Sequence, residues 1–418
     1  MAGSVSVKER FHYGWIIVFT GTLVLFSCLG LGRFALGMLL PSMGISLDLS
    51  YSQMGLIGTG NFTGYMVSVV LAGIMARAFG AKNTIAAGLF LVGLSILLVS
   101  RSNGFWQVLI LYALTGMGSG LANVPMMGLV SHWFKKDTRG KAAGTMLSGN
   151  GIAIVFSGLL IPWINAGLGP EGWRTGWLVI GIASVCIAVV AALLLKNNPE
   201  ELGLAPMGKT DPEPAPVLKN DKKVPDTTAS QNASKWTMIH LGCIYAFFGA
   251  TYVVYATFIV TSLVDERGFG EGTAGTFWAV VGALSIFSGP LFGGLSDRLG
   301  RKITIIVVYF LFTISYALAA AAHSEVFLYV SIGIFGLAVW SIPTIMSAAV
   351  GDYMGPQNAV KAFGFITLFF GAGQIAGPAM AGFLADSFGS FSPAFYLCAF
   401  LTACGAVLTG FLRPGGRS

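Results

Sequence analysis

Twelve apolar runs recur along the chain, and each is long enough to cross a hydrocarbon layer about 30 Å thick. Charged residues make up only 10% of the 418 residues, against about a quarter in a soluble domain. The composition therefore predicts an all-α membrane protein with twelve transmembrane helices. We place them at residues 13–40, 53–75, 83–100, 105–130, 142–165, 174–195, 236–262, 272–294, 303–322, 325–350, 360–385 and 391–412.

The distribution of cations predicts the orientation, because Lys and Arg accumulate on the cytoplasmic side of a membrane. With residue 1 in the cytoplasm, cytoplasmic segments hold twenty of the 24 Lys and Arg, and outside loops hold only Arg101, Arg174 and Arg267. We therefore expect a multi-pass protein of the cytoplasmic membrane, surrounded by lipid, with both termini inside. The net charge of +7 then reflects topology and implies no nucleic-acid partner.

A polar stretch at 197–234 separates two sets of six spans, and six of the sixteen prolines fall in it. This composition is typical of a solvated linker. We predict an N-terminal six-helix bundle at 1–196 and a C-terminal one at 235–418. The two halves match at an offset of 220 residues. The matching pairs are Gly73 with Gly293, Gly80 with Gly300, Lys82 with Lys302, Gly116 with Gly336, Lys141 with Lys361, and Gly144 with Gly364. A duplicated bundle with a site between its copies indicates a transporter whose halves rock about that site.

The stretch GGLSDRLGRK at 293–302 resembles the signature loop of the major facilitator superfamily. In this resemblance Gly293 and Gly300 allow close packing and a tight turn, and Asp297 accepts hydrogen bonds at a neighbouring helix start. The cations of the loop would pair with carboxylates or lipid phosphate. They are Arg298, Arg301 and Lys302.

The copy of this loop in the first half reads GIMARAFGAK, at 73–82. It keeps both glycines, Gly73 and Gly80, and also Lys82, but Arg77 stands where the signature has an aspartate. We therefore expect the intracellular latch between the halves to be asymmetric.

A finer resemblance covers much of the first half. The stretches FHYGWII (11–17), WFKKDTRGKAAG (133–144), GWRTGWLVIG (172–181) and NPEELGLAP (198–206) are together similar to bacterial monocarboxylate-type carriers. GLGRFALGMLLPSM (30–43) with GNFTGY (60–65) resembles the YbfB/YjiJ-type branch. These resemblances imply the major facilitator fold, a monomer and a small-molecule cargo.

Arg33 is the one formal charge deep inside a predicted span, since all seventeen Asp and Glu fall in loops, termini or span ends. Placing an arginine there costs roughly 3 kcal/mol. A carboxylate about 4 Å away, at an effective dielectric constant near 20, recovers about 4 kcal/mol. Arg33 can therefore bind an anionic substrate. The alternative is a structural or gating arginine that snorkels to the interface or bonds a neighbouring helix.

Organophosphate antiporters of the superfamily carry a substrate-binding arginine eight residues before a proline in the first helix, and Arg33 and Pro41 share that spacing. Their second arginine, on the seventh helix, corresponds here to Val253. The resemblance therefore favours a singly charged anion over a doubly charged phosphate.

Few other polar residues could complete a binding site inside the spans. The candidate ligands are Asn61, Tyr65, Asn123, Asn150, Tyr252, Tyr255, Trp278 and Gln374. For the amides the alternative role is hydrogen bonding between helices, and for Trp278 it is packing. At least one of the two helix-7 tyrosines is expected to face the cavity, because a phenol hydroxyl facing lipid would lack a partner.

We interpret the chain as a secondary carrier of a small organic anion, with a monocarboxylate favoured. Without an acid inside the spans, coupling would be anion exchange, or co-transport in which the proton travels with the substrate or its arginine site. An efflux antiporter of the same fold is the alternative, and a non-transporting membrane sensor is a remote one. The five cysteines show no metal-ligand spacing and no catalytic constellation is present, so we expect neither an enzyme nor a cofactor nor a metal.

Overall fold

A computed structural model describes residues 12–208, 228–321, 324–355 and 358–412. Twelve helices in these residues are long and apolar enough to cross a membrane, as the sequence predicts. They are α1 Gly14–Leu47, α2 Tyr51–Phe79, α3 Ala81–Val99, α4 Phe105–Trp133, α5 Asp137–Leu168, α6 Gly172–Leu194, α7 Trp236–Glu266, α8 Glu271–Leu299, α9 Arg301–Ala321, α10 Glu325–Met354, α11 Lys361–Phe388 and α12 Ser392–Gly410.

Helix α1 extends seven residues beyond its predicted end and carries Pro41 within it. It ends at Asp48, whose left-handed backbone (φ 51°) terminates the helix. Ser50 and Gln53 then form a capping box that starts α2. The longer helix leaves Arg33 fourteen residues from the Leu47 end, about 21 Å at 1.5 Å per residue, and therefore near the middle of the span.

The internal repeat is visible in the helix boundaries. Helices α2, α3, α4 and α6 each begin 220 residues before α8, α9, α10 and α12. The turns that precede α3 and α9 need a positive φ at Gly80 (83°) and at Gly300 (89°), a conformation that favours glycine. Two six-helix units with equal spacing therefore build the molecule.

The two halves meet at one end of the molecule, which we call the far end, where α1 leads into α2. A Cβ at Gly158 of α5 would lie 2.6 Å from the Gly275 carbonyl oxygen of α8, so only glycine permits this approach. The equivalent contact joins Gly55 of α2 to the Pro378 carbonyl of α11. Thr59 also donates a hydrogen bond to the Ile375 carbonyl at 2.7 Å. The far end is therefore closed.

At the opposite end, which carries residues 80, 135 and 300 and which we call the linker end, three of these four helices lack such close contacts. A Cβ at Gly73 of α2, Gly144 of α5 or Gly364 of α11 would meet no described neighbour beyond its own helix within 4 Å, and all three glycines are exposed. A central cleft between the halves therefore opens toward the linker end.

The predicted linker, 197–234, begins with a segment that packs on the first half. Met207 donates to the Trp133 carbonyl at 2.9 Å and accepts from Lys135 at 2.8 Å, which forms a short parallel bridge. The indole N–H of Trp133 donates to the Lys196 carbonyl at 3.0 Å. Residues 209–227 of the predicted linker lie outside the described residues, and a helix is already present at 228–234.

Candidate anion-binding site

A π-helical segment, Phe26–Phe34, interrupts α1 and ends beside Arg33. Its wider turn changes the carbonyl pattern, and hydroxyl groups of α4 bind two of the carbonyls. Tyr112 donates to the Arg33 carbonyl at 3.1 Å, and Ser119 donates to the Cys28 carbonyl at 2.6 Å. The backbone that carries Arg33 is thus held by side chains of the same half.

The Arg33 guanidinium lies over two aromatic rings of α2. Its central carbon is 4.6 Å from the centre of the Phe62 ring and 4.5 Å from that of Tyr65. Such cation–π contacts stabilise a desolvated cation by about 0.5–2 kcal/mol but provide no hydrogen-bond acceptor in the guanidinium plane. The Nε and Nη2 atoms are buried and have no hydrogen-bond partner among the described residues.

Nε and Nη2 are the two nitrogens of the side-on edge of a guanidinium, the edge that binds a carboxylate through two parallel hydrogen bonds. Arg33 borders a cavity of about 10 Å³, which is room for about one water molecule. Residues from both halves line it, and they include Val253, the repeat partner of Arg33. The other lining residues are Phe34, Leu36, Gly58, Asn61, Phe62, Tyr112, Ala256 and Thr257.

Arg33 takes part in none of the ion pairs between described residues. These pairs include Arg174 with Glu171, and Arg301 with Asp297 and with Asp352. The charge of Arg33 interacts electrostatically with the hydroxyl groups of Tyr65, Tyr112 and Tyr252. Arg33 is therefore a partly exposed cation surrounded by rings and phenols.

Five of the predicted ligands lie in the hydrogen-bonded surroundings of Arg33. Asn61 lines the cavity and donates to the Tyr112 carbonyl at 3.1 Å, while its own Oδ1 is buried without a partner in the described structure. Asn123 donates to the Tyr65 hydroxyl at 2.9 Å. Gln374 donates to the Tyr252 hydroxyl at 2.5 Å.

The other three predicted ligands lie elsewhere. Tyr255 exchanges a hydrogen bond of 2.8 Å with the Ser331 hydroxyl inside the second half. Trp278 is 1% exposed in α8, and its indole N–H has no acceptor among the described residues. Asn150 of α5 lies beside Gly30 of α1, where Ala153 makes the close approach, and its Oδ1 is buried without a partner among the described residues. The structure therefore does not bring these three side chains to the guanidinium.

Three further aromatic residues adjoin the site and were not predicted as ligands. Phe62 lies three residues before Tyr65 on α2, so the helix face of Tyr65 could have indicated it. Tyr112 of α4 lines the same cavity. Trp340 of α10 has its ring centre 5.6 Å from that of Phe34. The hydropathy pattern does not distinguish Trp340 from the other aromatic residues of the spans.

The signature loop lies at the linker end. Arg301 donates to Asp297 at 2.5 Å and to Asp352 at 2.9 Å, so its cation pairs with carboxylates of its own half. Asp297 therefore accepts a hydrogen bond from the side chain of Arg301, the first residue of α9. A Cβ at Gly293 would be 3.3 Å from Thr344 of the same half, which is the only contact there within 4 Å.

In the first copy of the loop, the backbone N–H of Lys82 donates to Asn197 at 2.9 Å. Arg77 is exposed and stands at the position equivalent to Asp297. The first copy, residues 73–82, contains no acidic side chain that could pair with the cations of the second copy.

Polar contacts close the far end. Asp386 of α11 accepts from the backbone N–H groups of Tyr51 and Ser52, at 2.8 and 2.9 Å. Asn165 of α5 donates to Glu271 of α8 at 2.7 Å. Both contacts join one half to the other, and both depend on the far end being closed.

The sequence matches the family model of the Major Facilitator Superfamily over residues 22–307 and 241–418. It is 26% identical over 401 residues to the hexuronate transporter of Bacillus subtilis, covering 92% of this chain and 91% of that protein. It is 24% identical to the phosphoglycerate transporter protein of Salmonella typhimurium, covering 87% and 81%. The fold is that of a bacterial homologue of the human lysosomal transporter Spinster in an inward-facing and occupied conformation. That structure has a TM-score of 0.71 and 13% identity, and the match covers 97% of this chain and 96% of that chain.

Proposed function

The chain belongs to the Major Facilitator Superfamily, and on this premise we propose that it is a secondary active transporter of a small organic monocarboxylate. Arg33 is the anion ligand in this proposal. The observation that carries it is the buried side-on edge of the Arg33 guanidinium, where Nε and Nη2 lack a hydrogen-bond partner among the described residues. The relatives named for hexuronate and phosphoglycerate support an anionic cargo.

The charge count favours a cargo with one negative charge. Arg33 is paired with no acid in the described residues, and its repeat partner in the same cavity is the apolar Val253. One carboxylate neutralises one guanidinium. A second negative charge would be left uncompensated in a partly desolvated cleft, where an unpaired charge is costly.

Binding requires the cavity to widen, because room for about one water cannot hold a carboxylate. The guanidinium is held by ring faces and the backbone of Arg33 by Tyr112. A carboxylate can therefore enter by displacing water and rotating side chains while the backbone of α1 stays in place.

The proposed transport cycle moves the halves 1–196 and 235–418 about Arg33, with 197–234 as the connection. With both termini in the cytoplasm, as the cation distribution predicts, the open linker end of the cleft faces the cytoplasm and the closed far end faces outside. The protein acts as a monomer in the bacterial cytoplasmic membrane. Coupling is by anion exchange or by a proton that travels with the substrate, since the seventeen acids avoid the middle of the spans.

The test is counterflow of labelled lactate or benzoate into proteoliposomes that contain the purified full-length protein. Arg33→Ala and Arg33→Lys should both lose transport, because lysine cannot supply the planar two-donor edge. Arg101→Ala, at an exposed arginine of a far-end loop, is the matched control and should transport normally. Undiminished counterflow by folded Arg33→Ala protein would refute the proposal.

A further inference from the structure

Building on the proposed carboxylate site, we propose that the transported anion carries a flat aromatic body that stacks on rings of the second half. These rings, which we call the aromatic wall, are Tyr252, Trp340 and Phe370. The cargo is then an aromatic monocarboxylate of the benzoate class. Its carboxylate binds Arg33 on the first half, and its ring binds the second half.

The aromatic wall is a continuous surface of stacked rings. Tyr252 and Phe370 are nearly parallel, with an interplanar angle of 6° and ring centres 5.8 Å apart. Trp340 meets Tyr252 edge-on at 6.3 Å. A flat ring placed on such a surface gains offset-stacked and edge-to-face contacts, which a saturated or branched body cannot make.

A break in α10 aims Trp340 at the site. The helix stops at Ala338 and restarts at Ser341, and the backbone N–H of Trp340 donates to Ser288 of α8 at 3.0 Å instead of to its own helix. The indole ring then packs edge-on against Phe34, which belongs to the other half. Trp340 therefore faces the opposite half across the site, and it is only partly buried.

The aromatic wall reaches the cavity beside Arg33 through Phe34. Phe34, which Trp340 contacts, follows Arg33 in the chain and lines the same cavity. Trp340 and Phe370 are both partly exposed, and Phe370 also stacks on Tyr245 with ring centres 4.4 Å apart. An anion bound by Arg33 would extend its body along these rings.

The polar groups beside the wall are already paired with one another. Gln374 donates to Tyr252, and Asn123 donates to Tyr65. The free Oδ1 of Asn61 can accept from one hydroxyl, but a hydroxyl-rich body such as a sugar acid would have to break these pairs or leave its other hydroxyls unpaired, and either choice weakens binding. An aromatic body requires no additional hydrogen bonds. The aromatic wall therefore favours a cargo different from the hexuronate in the name of one relative.

The experiment measures the melting temperature of the purified full-length protein in four sodium salts over a concentration series. The salts are benzoate, cyclohexanecarboxylate, acetate and glucuronate. Aromatic pairing beyond buried area corresponds to roughly 2- to 12-fold in affinity, and burial of the ring adds to it. Benzoate should therefore stabilise at a concentration about tenfold lower than acetate or glucuronate, and lower than cyclohexanecarboxylate, which has the same charge but a puckered ring.

Two substitutions test whether the aromatic wall causes the preference for benzoate over acetate. Trp340→Leu should bring benzoate and acetate within about twofold of each other, and Trp340→Phe should keep most of the difference. Trp163→Leu is the matched control, because Trp163 is 75% exposed on α5, and it should behave as wild type. If Trp340→Leu does not fold, the comparison of the four salts on the wild-type protein still decides the question.

The outcomes separate this inference from the proposed function. Glucuronate or acetate acting at the same concentration as benzoate, with the effect lost in Arg33→Ala, overturns the aromatic cargo and leaves the carboxylate site standing. An unchanged benzoate preference in folded Trp340→Leu protein also overturns it. Stabilisation by none of the four salts, or equal stabilisation of Arg33→Ala, overturns the proposed function itself.

Discussion

Asp386 offers a direct test of how the far end is held closed. Its two carboxylate oxygens accept from the backbone N–H groups of Tyr51 and Ser52, which begin α2 in the other half. The first N–H groups of a helix have no partner within the helix, so a carboxylate there satisfies donors and also meets the positive end of the helix dipole. Opening the far end would break both contacts. Asp386→Asn keeps the shape of the side chain but removes its charge and one of its acceptors.

The magnitude follows from the two hydrogen bonds. A hydrogen bond to a charged group contributes about 1.5–3 kcal/mol and a neutral one about 0.5–1.5 kcal/mol. The dipole contributes roughly a further 0.3–1 kcal/mol. Exposure of the carboxylate to solvent reduces these values, and asparagine retains part of them. We therefore expect Asp386→Asn to weaken far-end closure by about 1–2 kcal/mol, which changes the ratio of closed to open forms by roughly 5- to 30-fold.

The assay is the distance distribution between spin labels at positions 103 and 324, in far-end loops of the two halves, on a background in which the five native cysteines are replaced. The Asp386→Asn protein should show a larger population at long distance. Asp352→Asn is the control, because Asp352 pairs with Arg301 within one half at the linker end. An unchanged distribution for Asp386→Asn, or an equal shift for Asp352→Asn, would refute the reasoning.

Three other predictions test separate parts of the structure. Gly158→Val places a side chain where even a Cβ would lie 2.6 Å from the Gly275 carbonyl, so the far-end label distance should increase and the melting temperature should fall. The hydrogen bond from Ser46, followed in size by the one from Arg174, lowers the pKa of Glu171 below its usual value. Stability from Glu171 is therefore present above its unfolded pKa of about 4.3 and is lost as pH falls through the folded value. Acidification from pH 5 to pH 3 should lower the melting temperature of wild type slightly more than that of Glu171→Gln, and equal slopes would contradict this. Met207→Pro removes the donor to the Trp133 carbonyl, so amide exchange of the segment 198–206 should accelerate while anion binding is retained.

Hydropathy was sufficient for the fold because each span must cross the same thickness of hydrocarbon, and the twelve predicted helices are confirmed. The repeat offset of 220 residues also predicted where corresponding helices begin. The predicted ends were less accurate where local chemistry decides them. The first helix continues through Pro41 to Asp48, since the helix end depends on a left-handed residue that hydropathy does not detect.

In the candidate site, the sequence predicted only those residues whose chemical type is unusual inside an apolar span. Arg33 was detectable as a charge inside an apolar run. Tyr252 and Tyr255 are three residues apart and about 60° apart around a helix, so a small rotation of α7 decides which of them faces the other half. Trp340 could not be found from the sequence, because it is an aromatic residue among many, and the helix break that aims it depends on Ser288 of another helix.

The unpaired state of Arg33 has an electrical consequence. Among the described residues no acid neutralises it, so the protein has a positive charge near the middle of the membrane, and under the proposed function a bound carboxylate cancels that charge. A charge that crosses the full membrane voltage changes the free energy by about 2.3 kcal/mol per 100 mV, and a buried one feels a fraction of this. In the proposed cycle, voltage therefore acts on the return of the empty protein and leaves the loaded step nearly unaffected. Exchange of one anion for another uses only the loaded step, whereas net movement requires both, so the two modes of transport differ in their response to membrane potential.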